Sequence, residues 1–260
     1  MGRKKIYLGT NTKMYKTIAD TADFLKKLNE LTEDISPEKA ELFVIPSYTS
    51  LPAAREILKT SQIMLGAQNM CWEDQGQFTG EISPLMLREL EIDLVEIGHS
   101  ERRQVFRETN EDEAKKVIAA VRHGFKALLC VGETMKEKEY GISDEILSMQ
   151  LKIGLKDVPA EQWGQVMIAY EPVWAIGIHG VPADESYVNE RHMCMKRVLA
   201  GLFGEKNGAE IPVLYGGSVN SENAVPLIRQ PGVDGLFIGR SAWDAENFNK
   251  IIRMVLQETA

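Results

Sequence analysis

The chain has 260 residues, 44% of them hydrophobic, and 38 acidic against 30 basic side chains give it a net charge of −8. This composition excludes a disordered chain, because it supplies enough apolar surface for a sizeable core in one large or two small domains. The acidic balance argues against nucleic acid or an anionic membrane as the main partner. No apolar run approaches the length that crosses a bilayer.

Eight short apolar runs alternate with stretches of helical length along the chain. The runs begin near Ile6, Leu42, Ile63, Leu94, Ala127, Val166, Pro212 and Gly235. Each is followed by a loop with Gly, Ser, Thr, Asn or Pro and then by a helix-compatible stretch, such as residues 111–123 or 184–203. This alternation implies parallel strands joined by helical crossovers. Eight such units predict a closed (β/α)8 barrel of the α/β class, a single domain over residues 1–260.

An open, doubly wound sheet is the rival architecture. Its dinucleotide-binding form carries a glycine-rich turn after the first strand. This chain reads Gly9-Thr10-Asn11-Thr12-Lys13 at that point, which is not a glycine-rich turn that binds a nucleotide. The closed barrel is therefore the favoured prediction.

The three cysteines, Cys71, Cys130 and Cys194, have no metal-ligand spacing and leave an odd thiol. Disulfides are not expected, and a reducing cytoplasm fits this chain better than secretion. The first five residues are basic, but the apolar run after them stops within a few residues. We expect a soluble, cytoplasmic protein without a targeting segment.

Unusual polar residues gather where the predicted strands end. Asn11 and Lys13 follow the first run, His99, Ser100 and Glu101 the fourth, Glu171 the sixth, Gly216, Gly217 and Ser218 the seventh, and Gly239 and Arg240 the eighth. In a barrel these loops share one face. Proton transfer is indicated by the combination of a carboxylate, an imidazole and a lysine. A phosphate nearby is indicated by the two glycine-rich turns, because their backbone amides can bind an anion. Such chemistry needs neither a metal nor another cofactor.

Glu171 is the candidate base. It follows the apolar run from Val166 to Tyr170, and Pro172 cannot continue a strand ladder. Glu171 is therefore predicted at the carboxyl end of its strand, beside a short apolar loop that could act as a lid.

Six ordered motifs cover nearly the whole chain. They read Asn11-x-Lys13-Met14, Gly66-Ala67-Gln68-Asn69, Phe78-Thr79-Gly80-Glu81-Ile82-Ser83-Pro84, Gly98-His99-Ser100-Glu101-Arg102-Arg103, Tyr170-Glu171-Pro172-Val173-Trp174-Ala175-Ile176-Gly177 and Tyr215-Gly216-Gly217-Ser218-Val219-Asn220. Together they resemble the signatures of the triosephosphate isomerase family, whose fold is the TIM barrel. Several motifs in order are a far more specific signal than one glycine-rich turn.

The resemblance implies a role for each polar residue. Glu171 would take a proton from the carbon next to a carbonyl and return it to the neighbouring carbon, through an enediol or enediolate. His99, at the start of a helix, would stay neutral and polarise the substrate oxygen. Lys13 would stabilise negative charge, Asn11 would donate a neutral hydrogen bond, and Glu101 would hold Lys13 in place. No chemistry is assigned to the other histidines, His123, His179 and His192.

The resemblance also implies a phosphate site, a lid and a homodimer. The backbone amides that would hold the phosphate are those of Gly177, Ser218, Gly239 and Arg240. Residues 172–182 would close over it and exclude water. Residues 77–83 resemble a loop that one subunit inserts into its partner, with Thr79 near the partner's Lys13.

Two loops depart from the family's usual pattern. The eighth reads Gly239-Arg240-Ser241-Ala242-Trp243, and the lid ends in Ile178-His179-Gly180-Val181-Pro182-Ala183. With residues 80–87 and 235–243, they resemble the branch that interconverts L-erythrulose 1-phosphate and D-erythrulose 4-phosphate in erythritol catabolism. Asn11 is the residue expected of the triose enzyme of glycolysis and gluconeogenesis, so both substrates stay open. A Schiff-base aldolase that uses Lys13 and a non-catalytic phosphate-binding barrel are the alternatives from other classes.

Overall fold

The computed structural model describes residues 5–177 and 180–258, and its eight parallel strands close into a barrel in chain order. The strands are β1 (Ile6–Asn11), β2 (Ala40–Ile45), β3 (Met64–Ala67), β4 (Leu94–Ile97), β5 (Lys126–Val131), β6 (Val166–Tyr170), β7 (Val213–Tyr215) and β8 (Gly235–Phe237). The barrel closes where Tyr7 of β1 pairs with Gly235 of β8. Each predicted apolar run begins within two residues of an observed strand, and the predicted (β/α)8 barrel is confirmed.

Helices fill the crossovers between the strands. They are α1 (Ile18–Thr32), α2 (Leu51–Leu58), α3 (Pro84–Glu89), α4 (Ser100–Gln104), α5 (Asn110–Arg122), α6 (Met135–Glu139), α7 (Ser143–Leu155), α8 (Glu185–Phe203), α9 (Glu205–Glu210), α10 (Ala224–Ile228) and α11 (Ala245–Glu258). Threonine capping boxes begin α1, α5 and α6, and Asp184 caps α8. Each cap satisfies amide groups that the first turn of a helix leaves free. Within residues 5–177 and 180–258, the helices are too short or too polar to cross a membrane.

Two apolar layers hold the barrel together. The larger lies between the strands and the helices and contains Val95 and Ile97 of β4. The smaller fills the barrel interior and contains Leu94 of the same strand. Because side chains alternate along a strand, Glu96 shares the inward face with Leu94. An ionisable side chain therefore points into a mainly apolar interior, below the carboxyl ends of the strands.

A glycine on β1 makes room in that interior. A Cβ atom at Gly9 would lie 2.2 Å from the ring of Phe43 on β2. Phe43 in turn stacks on Phe237 of β8, with ring centroids 5.6 Å apart. The aromatic pair packs the barrel below the loops that carry the polar motifs.

Candidate active site

A cavity of about 320 Å³ opens at the carboxyl ends of the strands. It is lined by all nine residues for which the sequence predicts a catalytic or phosphate-binding role: Asn11, Lys13, His99, Glu101, Glu171, Gly177, Ser218, Gly239 and Arg240. They come from the loops after β1, β4, β6, β7 and β8. The fold thus brings residues from distant parts of the chain into one concave site.

Glu171 and His99 face each other inside this cavity. The backbone N–H of Glu101 donates to His99 Nδ1 at 3.0 Å, so the hydrogen of a neutral imidazole lies on Nε2. That Nε2 atom is 3.5 Å from Glu171 Oε1. Glu171 is only 4% exposed, and its Oε2 has no hydrogen-bond partner among the described residues. A carboxylate with one uncommitted oxygen is suited to accept a proton from a bound molecule.

Glycines directly after the neighbouring strands β5 and β7 allow this position of Glu171. A Cβ atom at Gly132 would lie 2.0 Å from the Glu171 carbonyl oxygen. A Cβ atom at Gly216 would lie 2.9 Å from Glu171 Cγ. The loops after β5 and β7 can approach the candidate base closely because both residues lack a side chain.

Lys13 is held in place from several sides. Its Nζ atom is 2.7 Å from Glu101 Oε1. Burial by itself would raise the pKa of Glu101, but the hydrogen bond from Lys13 keeps that pKa below its ordinary value. The backbone of Lys13 is left-handed, with φ of 51°, and its carbonyl accepts from Ser47 Oγ and Gln68 Nε2, both at 2.8 Å. Glu101 therefore holds the side chain of Lys13 at the cavity, while Ser47 and Gln68 hold its backbone.

The candidate phosphate-binding residues lie in the lid and in the loops after β7 and β8. Gly239 precedes a short 3₁₀ turn, Arg240–Ala242, and Ser218 Oγ donates to the carbonyl of Ala175 in the lid at 2.8 Å. The side chain of Arg240 is exposed and makes no hydrogen bond or ion pair to another described residue. Its guanidinium is thus available to an anion at the cavity rim.

The lid begins as a 3₁₀ turn, Val173–Ala175. The Trp174 indole donates to Glu133 Oε1 at 2.9 Å, and the amide of Val181 donates to the carbonyl of Trp174 at 3.1 Å. Ile178 and His179, part of the altered lid ending, lie outside the described residues.

The sequence motifs do not single out Glu96, which the structure places beneath the site. It is fully buried, and its Oε2 accepts from Asn11 Nδ2 at 2.6 Å. Burial and then the nearby charge of Glu171 raise the pKa of Glu96 well above its ordinary value. The sequence does contain a feature that could have indicated Glu96. This ionisable residue interrupts the apolar run from Leu94 to Ile97, just before the Gly98-His99 motif.

Glu96, His99 and Glu171 could together hold a metal ion, because each offers a ligand atom and these atoms lie within 4.8 Å of one another. Within the described part of the chain, two of them already have protein partners. His99 Nδ1 accepts from a backbone amide, and Glu96 accepts from Asn11. These contacts organise the group for moving protons.

Fold and site together define an α/β-barrel enzyme that moves protons beside a carbonyl group. Comparison with known proteins supports this class. The family model for triosephosphate isomerase matches residues 6–255. The chain belongs to the triosephosphate isomerase family and is a sugar-phosphate isomerase.

Several relatives have a more specific name. The L-erythrulose-1-phosphate isomerase of Rhizobium etli is 45% identical, over 96% of this chain and 92% of the relative. That of Rhizobium meliloti is 43% identical, over 98% of each chain. Among solved structures, the triosephosphate isomerase of Bartonella henselae superposes with a TM-score of 0.85 at 35% identity, over 95% of this chain and 97% of the other.

Proposed function

We propose that this protein interconverts L-erythrulose 1-phosphate and D-erythrulose 4-phosphate through an enediol or enediolate. The observation that carries this proposal is the pair of Glu171 and His99, 3.5 Å apart in a cavity that also contains the Lys13 ammonium. The name shared by relatives 43–45% identical supports the four-carbon substrate.

The reaction moves a carbonyl group by one carbon and leaves the redox balance of the molecule unchanged. Glu171 takes a proton from the hydroxyl-bearing carbon next to the carbonyl. His99 Nε2–H and the Lys13 ammonium stabilise the negative charge that develops on the oxygen. His99 then transfers a proton between the two oxygens, and Glu171 returns its proton to the former carbonyl carbon.

The phosphate group would rest at the other end of the cavity. Its proposed ligands are the backbone amides of Gly177, Ser218, Gly239 and Arg240. The Arg240 guanidinium, which pairs with no described residue, can approach the same dianion from the rim. Closure of residues 172–182 would exclude water and protect an enediol that could otherwise lose its phosphate.

The four-carbon substrate differs from a triose phosphate by one hydroxymethyl group at the end away from the phosphate. The proton-transfer steps are the same for both, so the residues that perform them need not differ. Discrimination would therefore come from the shape and hydrogen bonding of the pocket. A triose substrate is the second candidate, because Asn11 is the residue expected of the triose enzyme.

We also propose a cytoplasmic homodimer. The three cysteines are free and buried, which suits a reducing compartment. Thr79 lies in an exposed loop, where a second copy of the chain could reach it. The four-carbon substrate would place the enzyme in erythritol catabolism, and the triose would place it in glycolysis and gluconeogenesis.

The decisive experiment measures kcat/KM of the purified protein for L-erythrulose 1-phosphate and D-glyceraldehyde 3-phosphate under identical conditions. We expect a preference for the four-carbon ester. The Glu171→Asp variant should lose about 10²-fold in kcat, because the carboxylate withdraws by roughly 1 Å. Glu139→Asp, a change at an exposed site on α6, should match the wild type.

Other outcomes separate the alternatives. A preference for the triose ester would assign the glycolytic substrate and would make Arg240 a tolerated substitution. Borohydride reduction in the presence of substrate that leaves a stable adduct on Lys13 would indicate a Schiff-base aldolase. Binding of sugar phosphates without turnover would indicate a non-catalytic barrel.

A further inference from the structure

Glu96 lies between the apolar interior of the barrel and the cavity. It lies on the inward face of β4, in the same strand as Leu94 of the apolar interior. It does not line the cavity itself, and its side chain is 0% exposed. Asn11, which does line the cavity, donates to it at 2.6 Å. Glu96 is therefore placed to act on the site through Asn11 and not by touching the substrate.

The hydrogen bonds of Asn11 fix the orientation of its amide. Lys13 N donates to Asn11 Oδ1 at 2.6 Å, and Gln68 Nε2 donates to the same oxygen at 3.0 Å. A backbone N–H can only donate, so the atom it meets must be the amide oxygen, and the amide nitrogen must face Glu96. One of the two N–H hydrogens is used by Glu96, which leaves the second for the cavity.

Burial and the nearby carboxyl groups favour the neutral form of Glu96, against the opposing effect of Lys13. The groups that face it are Lys13 from the loop after β1, His99 and Glu101 from the loop after β4, Cys130 from β5 and Glu171 from the end of β6. A carboxyl oxygen of Glu96 lies within 4.8 Å of one of Glu171. Ionisation of both buried groups would cost much free energy, because little water is present to screen their repulsion. Glu96 is the more deeply buried of the two, and burial raises its pKa, so Glu96 keeps its proton.

Each carboxyl oxygen of Glu96 has a donor beside it. Oε2 accepts from Asn11 Nδ2, and Oε1 accepts from the Cys130 thiol. Cys130 Sγ is 3.7 Å from that oxygen, and burial raises the pKa of the Cys130 thiol well above its ordinary value. The thiol therefore stays neutral as well and adds no second charge beneath the base.

We propose that Glu96 is a positioning residue: as a neutral carboxylic acid, it accepts one N–H of Asn11 and so directs the second N–H to the substrate oxygen. This inference rests on the proposed function, because it requires Asn11 to hydrogen-bond the substrate. It adds that the site works only while Glu96 keeps its proton. Ionisation of Glu96 would place a negative charge beneath the developing enediolate and disfavour it.

Two substitutions separate the hydrogen bond of Glu96 from its charge. Glu96→Gln keeps an oxygen that can accept from Asn11 but cannot ionise. Glu96→Leu removes the acceptor at a similar volume. Met167→Leu, a conservative change at another inward-facing residue of the barrel interior, controls for repacking. The pH dependence of kcat and KM is measured for all four proteins with L-erythrulose 1-phosphate.

We expect the activity of the wild type to decline in alkali as Glu96 ionises. Glu96→Gln should retain kcat within a few-fold at neutral pH and should lack this decline. Glu96→Leu should lose about 10²-fold in kcat with little change in KM, because Asn11 is no longer held in position. Met167→Leu should follow the wild-type profile. Equal activity of the Gln and Leu variants, or an unchanged alkaline decline in Glu96→Gln, would overturn the inference.

An infrared measurement tests the protonation without any turnover. Burial raises the pKa of Glu113 to about 8, so Glu113 contributes the C=O stretch of a protonated carboxyl group to both proteins at neutral pH. The difference spectrum of wild type minus Glu96→Gln should show a further such band. A difference spectrum without this band overturns the inference even if the enzyme is active. A protein that shows the band but turns over neither sugar phosphate would refute the proposed function and not the protonated state of Glu96. The Gln comparison stands even if Glu96→Leu fails to fold.

Discussion

Burial sets the protonation state of His192, a residue of α8 to which the sequence assigns no chemistry. Its side chain is fully buried, and its Nδ1 lies 3.0 Å from the carbonyl oxygen of Gly232. A carbonyl can only accept, so Nδ1 carries the hydrogen of a neutral ring. Burial lowers the pKa of His192 to about 4. The histidine is a structural one that the folded protein keeps uncharged.

This pKa predicts a loss of stability in acid. As pH falls below about 6.5, the unfolded chain binds a proton at His192 that the folded chain excludes until pH reaches about 4. The free energy of unfolding should therefore fall through this window, by up to about 3 kcal/mol at its lower end. His192→Gln, which keeps a donor for Gly232 but cannot be protonated, should lack this part of the decline. Urea unfolding of both proteins across the window measures the difference.

His123→Gln is the matched control for His192. His123 caps the carboxyl end of α5, and its Nε2 lies 2.7 Å from Asp74 Oδ1. This variant should keep the wild-type decline between about pH 6.5 and 4, which reflects His192. Parallel curves for wild type and His192→Gln would contradict the prediction.

At the scale of elements, Glu133 ties the lid to the barrel. This fully buried carboxyl group accepts from Tyr170 OH at 3.1 Å, from the Trp174 indole at 2.9 Å and from Tyr187 OH at 2.8 Å. The three donors belong to β6, the 3₁₀ turn of the lid and α8. Lys138 Nζ also lies 3.6 Å from the centroid of the Trp174 ring. The carboxyl group of Glu133 thus connects the first turn of the lid and the helix after the lid to the strand before it.

Glu133→Gln should destabilise the protein measurably. The Gln oxygen can still accept at the position of Oε1, but the amide nitrogen cannot accept, so Tyr170 OH loses its hydrogen bond to Oε2. Loss of one buried hydrogen bond costs roughly 1 kcal/mol in the free energy of unfolding, which urea unfolding would detect. Glu139→Gln, on the exposed face of the neighbouring α6, should change stability by no more than about 0.5 kcal/mol. Equal stability of both variants would show that Glu133 does not tie the lid.

At the scale of the whole molecule, a single chain leaves apolar side chains in water beside its site. Met14 is 93% exposed and Tyr15 65%, both directly after Lys13. Phe78 is 42% exposed in the loop that contains Thr79. Exposed apolar side chains next to an active site are typical of a surface that a partner covers. A second copy of this chain, inserting residues 77–83, would cover it.

Thr79→Arg tests this proposed homodimer. A large cation at the tip of the loop should clash with the partner's Lys13 and repel it, which would convert dimers to monomers and lower kcat. Light scattering after size-exclusion chromatography gives the mass of the particle, and the isomerase assay gives kcat. Thr79→Ser should remain dimeric and active. A Thr79→Arg protein that keeps the mass and activity of the wild type would rule out this loop as the contact.

The barrel and most of the candidate site could be predicted from local features of the sequence. Short apolar runs bounded by glycine, proline and polar residues are stable when buried as strands, and parallel strands require helical crossovers. Because strand ends in a barrel share one face, residues as distant as Lys13 and Glu171 could be assigned to one cavity. Family motifs added the expected roles of these residues, and the (β/α)8 architecture was confirmed.

Other contacts depend on how the strands are placed around the closed barrel. Asn11 and Glu96 meet across 85 positions of sequence, and Glu133 collects donors from three separate elements. Strand register and tilt decide which inward-facing residues touch, and both emerge only when β1 pairs with β8. Local pattern thus determined the elements and the face that carries the site. Tertiary packing decided that Glu96 lies buried beneath Asn11, because only the closed barrel removes that carboxyl group from water.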